Sequence, residues 1–316
     1  MFQPGEKFDK YTIVRKIGSG GMGDVYLAKN PFDADVVLKA LHPDFATNKD
    51  VIERFHREGK IQYTLRHPNI VRVTDIVERD GKYALVVDYM KGRDLEARLL
   101  ANGPLSTEEV VRVSTRMLDA LQTAHDHGYI HRDLKPANIF LEEVDGAGWE
   151  PRLMDFGIAK IQEAGALTRA QEFCGTPCYA SPEQIASTKD VSPLTDVYSF
   201  GVVMWSMCTA VEPYAQYVED PYRVLAAVVR EQLPPLPDDV TPWLRAIIEK
   251  ATQKNPTQRF ASAAAFRDAI IHAARRNALN GTVADFKHVL ADVDEALSMG
   301  DTLAARLSGA TVAVDG

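Results

Sequence analysis

The densest run of chemically capable side chains in this chain is His131-Arg132-Asp133-Leu134-Lys135-Pro136-Ala137-Asn138. Asp133 carries a carboxylate that can accept the hydrogen bond and the proton of an attacking hydroxyl. Asn138 can reach a metal ion, and Lys135 can neutralise a phosphoryl group in transit. Downstream, Asp155-Phe156-Gly157 follows a short apolar strand expected at Arg152–Met154 and adds a second metal-binding carboxylate. Phosphoryl transfer demands such a set, because it needs little covalent help but much positioning and charge neutralisation. His-Arg-Asp alone also reads as a surface turn. The full octapeptide followed by Asp-Phe-Gly does not.

A second cluster lies near the N-terminus. Ile17-Gly18-Ser19-Gly20-Gly21-Met22-Gly23-Asp24-Val25 contains three glycines at the spacing of a phosphate-cradling loop. Glycines let the backbone approach an anion closely and tolerate positive φ. A dinucleotide-binding loop shares that spacing, but it runs straight into a helix. Here Asp24–Lys29 reads as a strand, so the loop is a strand-turn-strand flap. A hairpin with spare glycines is the bland alternative.

Lys39 ends the apolar strand Val36-Val37-Leu38-Lys39, where its charge must snorkel or find a partner. Glu58 lies beside the apolar stripe of Val51, Phe55 and Ile61, where an unpaired carboxylate is costly. Each is the natural partner of the other. A structural ion pair and a functional one remain equally open from these residues.

The elements that must position these groups fall into two kinds. Tyr11–Ile17, Asp24–Lys29, Val36–Ala40, Ile70–Val77 and Lys82–Asp88 read as strands, with one helix over Val51–Leu65. After Gly92 the pattern turns helical. Ser106–His127 is amphipathic, with a capping box from Ser106 and Glu109 and a stop at Gly128. Thr195–Ala210 is apolar all round and so expected to be buried. Further helices are expected at Pro221–Glu231, Thr241–Thr252 and Ala261–Asn277. A small sheet lobe and a larger helical lobe should meet near Met90–Gly92.

Composition sets the outer limits. The 316 residues can fill two lobes, and 46% hydrophobic with 25% charged residues is ordinary for a globular protein. A net charge of −8 argues against a nucleic-acid binder. No apolar run is long enough for a membrane span. Three cysteines suit a reducing, cytoplasmic compartment.

The ordered set of Gly18, Gly20, Gly23 and Val25, then Lys39, Glu58, HRDLKPAN, DFG and Ser181-Pro182-Glu183 resembles a protein-kinase domain. In detail it resembles the bacterial Hanks-type (eukaryotic-like) serine/threonine kinases. The resemblance covers roughly residues 8–276 and includes His67-Pro68-Asn69 and Asp196-Val197-Tyr198-Ser199-Phe200-Gly201. It implies an α+β, bilobal fold: an antiparallel-sheet N-lobe with one helix over about 8–90, and a mainly helical C-lobe over about 93–276. The kinase domain is expected over 1–276 and a helical tail over 277–316. The resemblance implies ATP with Mg²⁺ or Mn²⁺, a protein serine or threonine as substrate, and autophosphorylation of the activation segment.

Residue by residue, the resemblance makes Asp133, Lys135, Lys39 and Glu58 catalytic and Asn138 and Asp155 metal ligands. It puts Ile17, Gly18, Ser19, Gly20, Gly21, Met22, Gly23, Val25, Val37, Lys39 and Phe140 around the nucleotide. Val87 becomes the gatekeeper and Asp88-Tyr89-Met90 the hinge. Asp196 should hold the catalytic loop from below, and Arg259 should pair with Glu183. Lys135 and Thr176 point to serine/threonine rather than tyrosine specificity.

Some features depart from the family or lie beyond it. Val37 stands where the family has alanine. Ser181 replaces the alanine of the family's APE. The stretch from Asn138 to Asp155 is a few residues longer than usual, which reads as a surface hairpin turning at Asp145–Gly148. Cys174 and Cys178 read as packing residues, with metal binding or redox control of Cys174 as alternatives. Arg132 calls for an anion on the activation segment, from Glu172 or a phosphorylated Thr168. In the tail, Phe286, Val289, Leu290, Val293 and Leu297 form one stripe that can dock on the domain or form a homodimer. A kinase-like scaffold without activity would have lost Lys39, Asp133, Asn138 or Asp155, and all four are kept. A small-molecule phosphotransferase would not need the Gly-Thr-Pro-Cys-Tyr loop or the Asp196 and Arg259 framework.

Overall fold

A computed structural model of the chain describes residues 2–20, 23–144, 146, 148–156, 177–186 and 191–279. Six strands form one antiparallel sheet: β1 (Lys7–Phe8), β2 (Tyr11–Ser19), β3 (Gly23–Lys29), β4 (Asp35–Leu41), β5 (Val73–Arg79) and β6 (Lys82–Asp88), in the order β1-β2-β3-β4-β6-β5. Successive side chains point to opposite faces of a strand, so this sheet has two characters. One face carries Tyr26, Ala28, Val36 and Leu38, buried under Phe2, Phe8, Tyr11 and Ile13. The other carries Val25, Val37, Lys39 and Val87, all only half-buried.

Helix α1 (Lys49–Thr64) packs Val51 and Phe55 into a second cluster with Leu41, Val73, Tyr83 and Leu85. Its first turn is capped by Asn48, whose side chain accepts from the Asp50 and Val51 amides. Gly59 sets how close the helix can come: a Cβ there would lie 2.4 Å from Leu85 Cδ2 and 2.9 Å from Ile76 Cδ1.

Beyond Asp88 the chain is mainly helical. A small sheet of β7 (Gly92–Asp94), β8 (Ile139–Val144) and β9 (Gly148–Leu153) joins α2 (Leu95–Asn102), α3 (Thr107–Asp126), α4 (Pro182–Ala186), α5 (Pro193–Thr209), α6 (Pro221–Arg230), α7 (Pro242–Ala251) and α8 (Ala263–Leu279). Helix α5 is buried from Thr195 to Cys208 and forms the axis of this lobe, as its largely apolar sequence, broken chiefly by Asp196, requires. Each large apolar side chain buried there contributes about 1.5–3 kcal/mol. The Ser106–Glu109 capping box at the head of α3 forms in both directions, at 2.9 and 3.2 Å.

Three expectations need correction. The strand anticipated from Ile70 begins at Val73, because Ile70 and Val71 leave the six-stranded sheet to pair with β9. Val71 N donates to Leu153 O at 2.9 Å, and Leu153 N donates to Asn69 O at 2.7 Å. The strand anticipated at Arg152–Met154 runs instead over Gly148–Leu153, as the second arm of the hairpin with β8 expected to turn at Asp145–Gly148, with Gly146 at φ +75°. Helix α2 was not anticipated, although Asp94 caps it through a 2.7 Å bond from Ala97 N and Gly103 ends it at φ +76°.

Candidate active site

Cross-strand register builds the upper wall. Val25 pairs with Lys39 and Lys39 with Leu85, while Leu27 pairs with Val37 and Val37 with Val87. Val25, Val37, Lys39 and Val87 therefore share the face away from the Phe2–Tyr26 core. Val37 and the expected gatekeeper Val87 are direct neighbours, so the extra bulk of Val37 lies beside Val87. Asp88 and Tyr89 are exposed and Met90 is half-buried just past the end of β6. Gly92 follows at φ +140°, where a Cβ would meet Leu141 O at 2.0 Å and the Phe140 ring at 3.1 Å. Phe140 is thus set beside the segment expected to be the hinge.

The glycine-rich loop turns between Gly20 and Gly23, whose backbones exchange bonds of 2.8 and 3.3 Å. A side chain at Gly23 would place its Cβ 2.0 Å from the Ala40 carbonyl oxygen, so only glycine fits. Ile17, Ser19 and Gly20 are exposed and Gly18 half-buried, along the same flap. Gly21 and Met22 lie outside the described residues.

Lys39 reaches across from β4. Its Nζ is 2.7 Å from Asp155 Oδ1 and 3.6 Å from Glu58 Oε1. Burial favours the neutral amine, but the charges of Asp155 and Glu58 outweigh it and raise the Lys39 pKa above its ordinary value. Burial pushes the Glu58 carboxyl up, and Lys39 only partly offsets that.

Below them, Asn138 Nδ2 donates to Asp133 O at 2.7 Å and to Asp133 Oδ2 at 3.1 Å, while Lys135 Nζ lies 3.4 Å from the same Oδ2. With its nitrogen engaged, Asn138 keeps its amide oxygen for another partner. No group of three or more His, Cys, Asp or Glu side chains able to hold a metal occurs among the described residues. A hard cation here would draw on Asp155 and Asn138 with phosphate oxygens, the usual arrangement for Mg²⁺.

The loop carrying Asp133 is held from behind. Asp196, wholly buried, accepts from His131 N at 2.8 Å, Arg132 N at 2.9 Å and His125 Nε2 at 2.7 Å. These bonds sustain Arg132 in a left-handed backbone at φ +66°, a conformation costing about 1–3 kcal/mol that persists only where its surroundings demand it. Asp155 also has a left-handed backbone, at φ +49°. His131 donates from Nε2 to Met154 O at 2.8 Å and accepts at Nδ1 from Asp133 N at 3.3 Å, which suits a neutral ring; burial lowers its pKa accordingly. The buried Phe156 ring packs 4.8 Å from it.

Arg259 uses all five of its donors. Two go to Glu183 Oε1 and Oε2 at 2.7 and 2.8 Å, and the rest to the carbonyls of Gln253, Leu194 and Lys254. Burial would raise the Glu183 pKa, but Arg259 outweighs that and lowers it.

A family model described as the protein kinase domain matches residues 11–271 of the chain. The chain belongs to the protein kinase family. The serine/threonine-protein kinase pkn3 of Myxococcus xanthus is 37% identical over 269 residues, which are 82% of this chain and 49% of that protein. PkaA of Streptomyces coelicolor is 35% identical over 79% of this chain and 47% of its own length. PknA of Mycobacterium tuberculosis is 36% identical, over 84% of this chain and 62% of its own length. This kinase-family chain thus spans about half the length of the curated relatives it matches. The crystal structure of the Mycobacterium tuberculosis PknI kinase domain has 28% identity and a TM-score of 0.67, covering 86% of this chain and 99% of that one. The bilobal protein-kinase fold is thereby shared, and the family uses ATP with a divalent metal.

Sequence reasoning missed four contributions, one of them made by a pair of residues. Gly59 sets the depth of α1. Arg57, next to Glu58, lies near enough to Arg132 that its like charge helps lower the Arg132 pKa, after burial. Ser181 and Gln184 cap α4 reciprocally at 3.0 and 3.3 Å, and Gln184 Nε2 donates to Arg132 O at 2.9 Å. The Ser-x-x-Gln spacing was the available signal. Asp24 is the fourth. Gly157, Thr168, Glu172, Cys174, Thr176 and the tail beyond Leu279 lie outside the described residues.

Proposed function

We propose that this chain is an ATP-dependent serine/threonine protein kinase, with its kinase domain over 1–276 divided into lobes near residues 90–93. The observation that carries this reading is one set of contacts: Asp133, Lys135 and Asn138 bonded to one another, and Lys39 joined to both Glu58 and Asp155. The bound nucleotide supplies the phosphoryl group, and the divalent cation neutralises its oxygens.

The chain's own residues do the rest. Asp133 orients the substrate hydroxyl and takes its proton as the new P–O bond forms and the bond from the γ-phosphorus to the bridging oxygen breaks, the electron pair leaving with ADP. Lys135 offsets charge on the moving phosphoryl group. Lys39, fixed by Glu58, orients the nucleotide phosphates, and Asp155 and Asn138 present oxygens to the cation. Ile17 to Val25, Val37, Val87 to Met90 and Phe140 enclose the nucleotide. Lys135 and the retained framework of Asp196 and Arg259 favour protein hydroxyls of serine and threonine over small molecules.

No helix among the described residues is long and apolar enough to cross a membrane. A cytoplasmic site of action rests on the sparse cysteines; the two described, Cys178 and Cys208, are buried and free. Transfer of radiolabel from ATP to a panel of proteins and small metabolites, with Asp133→Asn as control, tests the assignment. Label in serine and threonine of proteins, lost in the variant, is the expected result. Label only in small molecules, or none, overturns it.

A further inference from the structure

Asp24 follows the last glycine of the phosphate-cradling loop and opens strand β3, and although it carries a carboxylate it is 1% exposed. Strand β2 carries an extra residue at Ile17: Lys16 pairs with Tyr26, Gly18 with Val25, and Ser19 with Asp24. Such a bulge bends its strand and re-aims the residues beside it. It also leaves the pairing open to a one-residue slip, which would turn every side chain of the loop to the other face.

Asp24 spans the bulge from the opposite strand. Its Oδ1 receives Ser19 Oγ at 2.6 Å from beyond the bulge and lies 2.7 Å from Lys16 Nζ before it. Its Oδ2 receives Tyr26 OH at 3.1 Å. The Tyr26 oxygen in turn accepts from Phe2 N at 3.3 Å, and the Phe2 ring packs against Tyr26 and Phe8 at 5.3 and 4.6 Å. Burial alone would raise the Asp24 pKa, but its bonds from Lys16, Ser19 and Tyr26 hold it at about 2.

We propose that Asp24 is a positioning residue for the nucleotide phosphates: it locks the bulged register of the glycine-rich loop, and the N-terminal segment from Phe2 to Phe8 braces that lock through Tyr26. The proposal rests on the reading that this loop covers ATP. Asp24 lies on the face away from Val25 and Lys39, so it touches no nucleotide and acts through the backbone of Gly18 to Gly23. Binding of phosphate groups then depends on it, whereas binding of the adenine ring, which depends on the hinge, does not.

The test compares adenosine, ADP–Mg²⁺ and ATP–Mg²⁺ binding to the full chain by calorimetry, for wild type, Asp24→Asn and Tyr26→Phe. A loop in register only about a fifth of the time loses about fivefold in apparent affinity. Asp24→Asn is expected to weaken ADP and ATP by about that factor or more, with adenosine within about twofold of wild type. In turnover, the KM for ATP should rise while kcat at saturating ATP changes little. Tyr26→Phe, which keeps the core ring, should shift the same quantities in the same direction by less, and it decides the matter if Asp24→Asn does not fold. Equal weakening of all three ligands, or unchanged ADP and ATP affinity, overturns the proposal. A wild-type chain that binds ATP but transfers nothing would sink the kinase reading and leave the binding comparison valid. One that binds no nucleotide would sink both.

Discussion

Lys39 stands closer to Asp155 than to Glu58, at 2.7 against 3.6 Å, so the ammonium bridges the sheet to the strand-end carboxylate rather than merely pairing with its helix. Both carboxylates help keep Lys39 charged. Removing Asp155 takes away one of these partners and one proposed metal ligand together. Asp155→Ala is expected to leave the fold intact and reduce Mg²⁺-dependent transfer by at least about a hundredfold, near 2.7 kcal/mol of barrier. Steady-state transfer against Mg²⁺ concentration, with a thermal melt as control, checks this. Wild-type rates of autophosphorylation would refute the assigned roles of Lys39 and Asp155.

Glu58 separates stability from activity. Burial penalises its charge, so Glu58→Gln should change stability little, yet slow turnover by at least about tenfold, or 1.4 kcal/mol. Gly59→Val acts on the same helix through sterics. Overpacking against Leu85 and Ile76 should destabilise the fold by about 1–3 kcal/mol and lift α1 away from Lys39. Denaturant melts beside kinetic assays distinguish the two. If Glu58→Gln turned over like wild type, the pair would be structural only.

Much of this was readable before any coordinates. Lys39 and Glu58 were paired by one argument, that a charge beside an apolar stripe needs a partner. The clustering of Asp133, Lys135 and Asn138 is legible because the spacing of their octapeptide has few other uses. What stayed hidden depends on register or on backbone shape. Asp24 reads as the first residue of a strand, but which face it takes is undecided until the bulge at Ile17 is known, since one residue of slip reverses it. Ile70 and Val71 have the composition of a strand and do pair, but with Leu153 across the lobes, which local pattern cannot reveal. Ser181 reads as a simple replacement of the family's alanine, while its hydroxyl closes a cap that ends on Arg132. Ser181→Ala should cost about 1 kcal/mol in stability.

The catalytic loop should make the fold acid-sensitive in two stages. His131 is buried with a lowered pKa, so the unfolded chain binds its proton more readily than the native one below the ordinary value of 6.5. Stability therefore falls as pH drops below 6.5. Burial tends to raise the Asp196 pKa, but bonds from His125 and the Arg132 amide lower it on balance. Its contribution is complete above its ordinary value of 3.8 and is lost as pH falls through its lower native value. Urea melts from pH 7.5 to 5 should show the first stage, and His131→Asn should flatten it. Asp196→Asn should cost about 3 kcal/mol or more at pH 7, because its amide would oppose a backbone donor. A flat pH profile in wild type would contradict the neutral, buried His131.

The Arg132 pKa is lowered mainly by burial, Asp196 works against that, and Arg57 on α1, next to Glu58 in sequence, adds a smaller like-charge effect. An anion on the activation segment would offset the positive charge of Arg132, and the Arg57 variant tests whether α1 shares in that. Thr168 and Glu172, both outside the described residues, are the two sources proposed for it. A phosphate brings about −2 of charge and three acceptor oxygens, whereas a carboxylate brings −1 but can still grip arginine in bidentate fashion. With Glu172 giving basal order and phospho-Thr168 adding to it, phosphatase-treated protein should keep measurable activity and Glu172→Ala should remove most of it. Thr168→Ala should cost less than the two changes combined. Arg57→Ala should lower the gain from phosphorylation without abolishing basal transfer, since Arg132 still offers one partner. Kinetics on dephosphorylated and autophosphorylated protein separate these effects. If dephosphorylated wild type is inactive and Glu172→Ala is silent, Thr168 alone is the switch. If Arg57→Ala leaves the phosphorylation gain intact, the anion engages Arg132 without help from α1.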